Sequence, residues 1–163
     1  MTTTRNKIDY SGRTVDLLLL KTVLGVPVEM KRVDLDASGD PMIVTGVEKL
    51  VQRYAILFIN AAGSTMFRPD HGTSVVHDVA SGKVYSTATL ETAAAEANTI
   101  AMSSILAADQ EDDGVPDDER LAGAEVENVE FSPERSEARV SVRLTTAAGD
   151  SYTYIIPVGV GVH

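Results

Sequence analysis

Residues 137–146 read EARVSVRLTT and residues 151–158 read SYTYIIPV. In the first stretch Ala138, Val140, Val142 and Leu144 alternate with Glu137, Arg139, Ser141 and Arg143. Successive side chains of a strand point to opposite faces, so a period of two predicts a strand with one apolar and one wet face. Tyr152, Tyr154, Ile156 and Val158 repeat the pattern in the second stretch. Ala147-Ala148-Gly149-Asp150 between them supplies a turn. Upstream, Glu125 to Phe131 reads as another strand. Three successive strands with short connections predict an antiparallel meander over residues 124–131, 137–146 and 151–158.

Ahead of the meander the period changes from two to that of a helix. Val47, Leu50, Val51, Tyr54, Ala55 and Phe58 recur at helical spacing, with Glu48, Lys49, Gln52 and Arg53 between them. Thr45 and Glu48 have the spacing of a capping box, which places the helix start at Thr45. Ile56, Leu57 and Ile59 make its second half apolar nearly all round, so it is expected to be buried on several sides, with Gly63 as its stop. A short helix is expected from Thr73 to Ala80, closed by Gly82. A longer one is expected from Thr89 to about Asp109, with Ala93, Ala97, Ile100, Ser104 and Ala108 on its packing side and Ala101, Ile105 and Leu106 beside them. Asp109 to Glu119 is acidic, holds Gly114 and Pro116, and reads as a solvated loop. Residues 1–12 are polar and read as a mobile arm, and residues 13–163 as one domain. Leu17 to Leu20 is too short to assign, and Val26 to Leu35 reads as a strand.

Composition excludes several functions. There is no cysteine, so disulfides and thiol chemistry are absent. The formal net charge of -10 opposes binding to nucleic acid, and the basic residues are scattered. With no Trp and 5% aromatic residues, stacking platforms for bases or sugars are hard to build. No apolar run approaches the roughly 20 residues that cross a bilayer, and the chain is expected to be soluble and made in a cytoplasm. No phosphate loop, dinucleotide fingerprint or nucleophile elbow appears, and a carboxylate pair in a sugar cleft has little support; the expectation is no enzyme and no cofactor. Asp70, His71, His77 and Asp78 could be read as metal ligands, but loop and helix-start chemistry accounts for them. Asp109, Glu111, Asp113, Gly114 and Asp117 approximate positions of a calcium hand, although its twelfth position is Arg120 where Glu is needed. A calcium-stabilised binding domain is the alternative of another class; the default is no metal.

The string TGVEKLVQRYAILFINAAGSTMFRPDHGT, residues 45–73, resembles the signature of the baseplate wedge and sheath-initiator family of contractile phage tails, which is related to a wedge component of type VI secretion baseplates. The likeness rests on Lys49-Leu50, Gln52-Arg53, the apolar run, Gly63, Pro69, Asp70 and Gly72. Residues 11–22 also look like the start of phage members, and residues 121–158 like their final strands. The family's Glu-Pro-Arg triplet after the long helix is missing here; the comparable segment is Asp117-Asp118-Glu119-Arg120-Leu121.

The resemblance implies an α+β fold, with helices packed on a mostly antiparallel sheet that ends in the meander. It also implies a structural part of the virion, made in the host cytoplasm and placed in the tail baseplate. Its partners would be other baseplate wedge proteins and the tail sheath protein, whose first ring it would start by offering strands for β-augmentation. The expected wedge contact is Gln52, Arg53, Arg68, Pro69, Asp70, Glu119 and Arg120. The expected sheath interface is Val140, Val142, Leu144, Tyr152, Tyr154, Ile156 and Val158. A type VI-like or extracellular contractile injection system is the closest alternative setting.

Overall fold

The computed structural model describes residues 16–17, 43–64, 71–132 and 137–158. The predicted arm, the strand at 26–35 and the C-terminal residues 159–163 lie outside them. The fold is α+β. Two short strands, β1 (Asp16–Leu17) and β2 (Ile43–Val44), pair antiparallel. Among the described residues three helices follow: α1 (Val47–Ile59), α2 (Val75–Ala80) and α3 (Thr87–Glu111). The chain then forms the antiparallel sheet β3-β4-β5, from Leu121–Ser132, Glu137–Thr146 and Ser151–Pro157. The predicted meander is thus present, with β4 in the middle.

The alternation in β4 decides how the layers stack. Ala138, Val140, Val142 and Leu144 are fully buried and join Ile156 and Val158 in a core shared with α1 and α3. Arg139 and Arg143 stand on the outer face. There Arg143 pairs with Glu125 at 2.9 Å and Glu127 at 3.3 Å, and Thr153 Oγ1 donates to Glu127. The β4–β5 turn closes through Thr146 N to Asp150 O, with Gly149 at φ 92°. A left-handed residue in so short a connection favours glycine.

α1 buries Leu50, Val51, Tyr54, Ala55, Leu57 and Phe58, together with Gln52. Its start differs from the expected capping box: Gly46, at φ 66°, occupies the cap with no side-chain bond, and Glu48 is exposed. The helix ends at Ile59, four residues before Gly63. Asn60 to Ala62 then runs beside Thr73, with Thr73 N donating to Asn60 O and Thr73 Oγ1 to Phe58 O. Gly72 is required in this approach. It has φ 111°, and a Cβ there would lie 2.5 Å from Asn60 O.

α3 begins two residues before Thr89, because Ser86 is its cap: Thr89 N donates to Ser86 Oγ, and Ser86 N to Thr89 Oγ1. Its buried stripe is Leu90, Ala94, Ala97, Ala101, Ile105 and Asp109. The stripe is rotated from the expected one, and Ile100 is exposed. A polar relay ties the helices to β3. Tyr54 donates to Asn98 Oδ1, and Asn98 Nδ2 donates to Ala124 O. Burial holds the Tyr54 phenol above its ordinary range, so it remains a donor.

Candidate functional site

Of the residues expected to meet a wedge, Gln52 and Glu119 are buried, and Arg53 and Arg120 are partly buried. Glu119, 1% exposed, ends the turn before β3 and reaches the start of α1. Its Oε1 accepts from Gly46 N and its Oε2 from Lys49 Nζ, each at 2.9 Å. One helical turn on, Arg53 donates to Asp109 Oδ1 at 2.7 Å, while Asp109 Oδ2 accepts from Leu121 N. Two carboxylates flanking the acidic loop therefore clamp α1 against the α3–β3 connection. Gly46 N lies at the positive end of α1, where a carboxylate is favoured.

Gln52 is also buried. Arg120 is partly buried and donates to Val115 O, with its Nε unpartnered. Arg53 and Glu119 thus belong to an internal junction, and Gln52 is buried, where an outward contact surface was expected. Arg68, Pro69 and Asp70 lie outside the described residues.

Most of the expected sheath interface also has its side chains turned inward. Val140, Val142, Leu144, Ile156 and Val158 have side chains in the core, and both edges of β4 are paired. Their apolar alternation marks the face that packs inside. Tyr152, 38% exposed, and the half-buried Tyr154 lie on that face where it reaches the sheet margin.

What remains available is backbone. Val158 N donates to Ala138 O, and β4 and β5 pair in the register Val140↔Ile156, Val142↔Tyr154 and Leu144↔Tyr152. Hydrogen-bonded pairs alternate along an antiparallel ladder, so the even-numbered residues of β5 spend their N–H and C=O groups on β4. Ser151, Thr153 and Ile155 turn theirs to the other side, where no described strand lies. Pro157 occupies the same phase and has no N–H, which closes this donor row. No residue of β5 is charged. Edge strands are commonly protected by Lys, by bulges or by cover, and among the described residues β5 has its proline.

The opposite edge is less open. β3 carries register irregularities between Leu121 and Gly123 and between Val126 and Asn128, and the Asn98 amide already holds Ala124 O. Bulges twist a strand away from flat pairing. The odd-numbered phase of β5 was legible in the sequence through Pro157, because a proline inside a strand pattern argues for an edge. The apolar phase draws attention first, and it indicates packing.

The calcium arrangement is not assembled. Asp109 and Glu111 belong to the last turn of α3, and Asp109 is committed to Arg53 and Leu121 N. Asp112 Oδ1 accepts from Gly114 N in a local turn. Among the described residues no three His, Asp or Glu side chains gather as a metal site. His77 and Asp78 sit on α2, where Asp78 pairs with Lys83. No described helix is long and apolar enough to cross a membrane.

No family model matches the chain, and neither a curated protein nor a solved structure matches it.

Proposed function

We propose that this chain is a baseplate wedge subunit of a contractile tail that starts sheath assembly, an assembly role in which catalysis has no part. The observation that carries the reading is the β5 edge: an uncharged strand, backed by a braced core, with outward N–H and C=O groups on Ser151, Thr153 and Ile155. An extended segment of the sheath protein would satisfy those groups as a fourth strand. Such an exchange needs an acceptor that keeps its shape. The Glu119 and Asp109 clamps supply this by fixing α1 and α3 to the root of β3. The resemblance of residues 45–73 to the sheath-initiator signature supports the same reading.

The test is capture of the cognate sheath protein by the full chain and by Thr153→Pro. Proline at an edge position removes one outward N–H and leaves the β4 ladder intact. Truncation after Gly149 is a poorer test, because it strips Ile156 and Val158 from the core. Capture by the parent and loss in Thr153→Pro is expected. Capture by neither removes the initiator reading, and equal capture by both moves the contact off this edge.

A further inference from the structure

We propose that β5 also pairs with β5 of a second copy, antiparallel, about a two-fold axis through Thr153, so that the free protein covers its own edge in a continuous sheet across two chains. This pairing involves this chain alone and does not depend on the tail reading.

The available window has a centre. It is bounded on one side by the β4–β5 turn, where Asp150 O is held by Thr146 N. On the other it is bounded by Pro157, which offers no donor. Between them the outward groups belong to Ser151, Thr153 and Ile155, symmetric about Thr153. An antiparallel second copy in this register sets Ser151 opposite Ile155 of the second copy and Thr153 opposite its own counterpart. These are hydrogen-bonded pairs, so each outward N–H and C=O of Ser151, Thr153 and Ile155 meets its complement on the second copy, and the Pro157 C=O lies outside the window. Any other register leaves some of these groups unmatched or brings Pro157 into the ladder.

Side chains agree with the register. On the core-facing side, Tyr152 of one chain lies opposite Tyr154 of the other, and aromatic cross-strand pairs are favourable. This covers Tyr152, one of the few large apolar side chains that the described surface exposes. On the outer side Thr153 meets Thr153, while Ser151 meets Ile155. No charged side chain of β5 faces its own copy; Asp150 borders the strand in the β4–β5 turn, and Arg143 is paired with Glu125 and Glu127 within each chain. The interface is small, so the dimer is weak and reversible. Each copy carries a net charge of -10, so long-range repulsion opposes association. Raising ionic strength from about 0.01 M to about 0.15 M shortens the screening length from about 30 Å to about 8 Å and favours this dimer. An interface built on ion pairs responds in the opposite sense.

The absence of cysteine makes the test clean. Full-length Thr153→Cys and Ser151→Cys are compared under mild oxidation, with folding checked by thermal melts. In the proposed register the Cα atoms of position 153 in the two copies lie about 5.5 Å apart, within disulfide reach. The Cα atoms of position 151 in the two copies are offset by four residues, about 14 Å, and are out of reach. Rapid cross-linking of Thr153→Cys alone, faster at higher salt, is the expected result. Cross-linking of both at equal rates, or of neither, overturns the proposal. Sedimentation of the cysteine-free parent and of Thr153→Pro gives a second readout: a concentration-dependent dimer should be present in the first and lost in the second. A strictly monomeric parent, or a dimer that survives Thr153→Pro, also overturns it.

Discussion

At the junction of α1 with the turn before β3, Lys49, Arg53, Asp109 and Glu119 meet their opposites inside the protein. Along the outer side of β5 no side chain is charged, and the outward backbone groups meet no described strand. Both regions break the habit of an acidic surface, in opposite ways. At the junction, burial makes each charge depend on its partner, which fixes α1 at one height against β3. At the edge, the lack of charge leaves pairing capacity open. One region holds shape, and the other leaves a row of outward backbone groups that the proposed function uses as a template.

The largest expected effect lies at the junction. Glu119→Ala removes the buried carboxylate to which Gly46 N and Lys49 Nζ both donate and should cost about 3–5 kcal/mol, the usual penalty for removing one partner of a buried pair. The same change at Glu125, whose side chain is 69% exposed in its pair with Arg143, should cost at most about 1 kcal/mol. Urea unfolding of both variants measures the contrast, and equal costs would break the argument from burial. A step below stands Gly72→Ala. Its Cβ would meet Asn60 O, and the φ of 111° is unfavourable for alanine, so a loss of about 1–3 kcal/mol is expected. Gly63→Ala, also at positive φ but with nothing within 4 Å, should cost less in the same measurement.

The sequence disclosed the two regions unequally. Alternation in residues 137–146 and 151–158 specified strands, order and core face, because period two is a local property of the backbone. The same alternation points to side chains that pack inside. Val140, Val142 and Leu144 carry the pattern because they are buried, whereas strand addition uses backbone groups in the other phase. The clamp was hidden for a different reason. Glu119 caps α1 from 73 residues away, a distance no spacing rule spans, and the local alternative of Thr45 with Glu48 looked sufficient. One signal was present. The stripe Leu90, Ala94, Ala97, Ala101 and Ile105 continues onto Asp109, placing a carboxylate on a buried face. Lys49 and Arg53, four residues apart, supply a matching basic side on α1. The acidic segment reads as a solvated loop only when its two ends are left out of the helix and the turn that own them.

The edge makes a smaller demand on stability. Thr153→Lys should change the unfolding free energy by no more than about 0.5 kcal/mol, since the site is exposed and Glu127 lies within reach of the new ammonium. It should nonetheless abolish both sheath capture and cross-chain pairing, because a lysine on an edge is a common block to strand addition. Separating binding from stability sharpens the contrast with Glu119→Ala, which should lower both together. A Thr153→Lys chain that still captured sheath would show that the edge is not the template.

The smallest expected effect tests burial with distance held fixed. Asp78 and Lys83 approach to 2.9 Å, as Lys49 and Glu119 do, but Lys83 is 67% exposed. The Ser74 hydrogen bond, followed by that from Lys83, holds the Asp78 carboxyl below its ordinary range. A carboxyl depressed by folding contributes stability above its unfolded pKa, and that contribution is lost as pH falls through the folded value. The window is therefore acidic, at and below the ordinary aspartate range, and neutral pH lies outside it. At the surface the contribution is screened and small. Carboxyl NMR titration should place Asp78 below a free aspartate, with Ser74→Ala raising it most and Lys83→Met raising it less. Lys83→Met should leave unfolding at neutral pH almost unchanged. If it matched the cost of Glu119→Ala, ion-pair distance would govern both sites and burial would not be what makes the junction rigid.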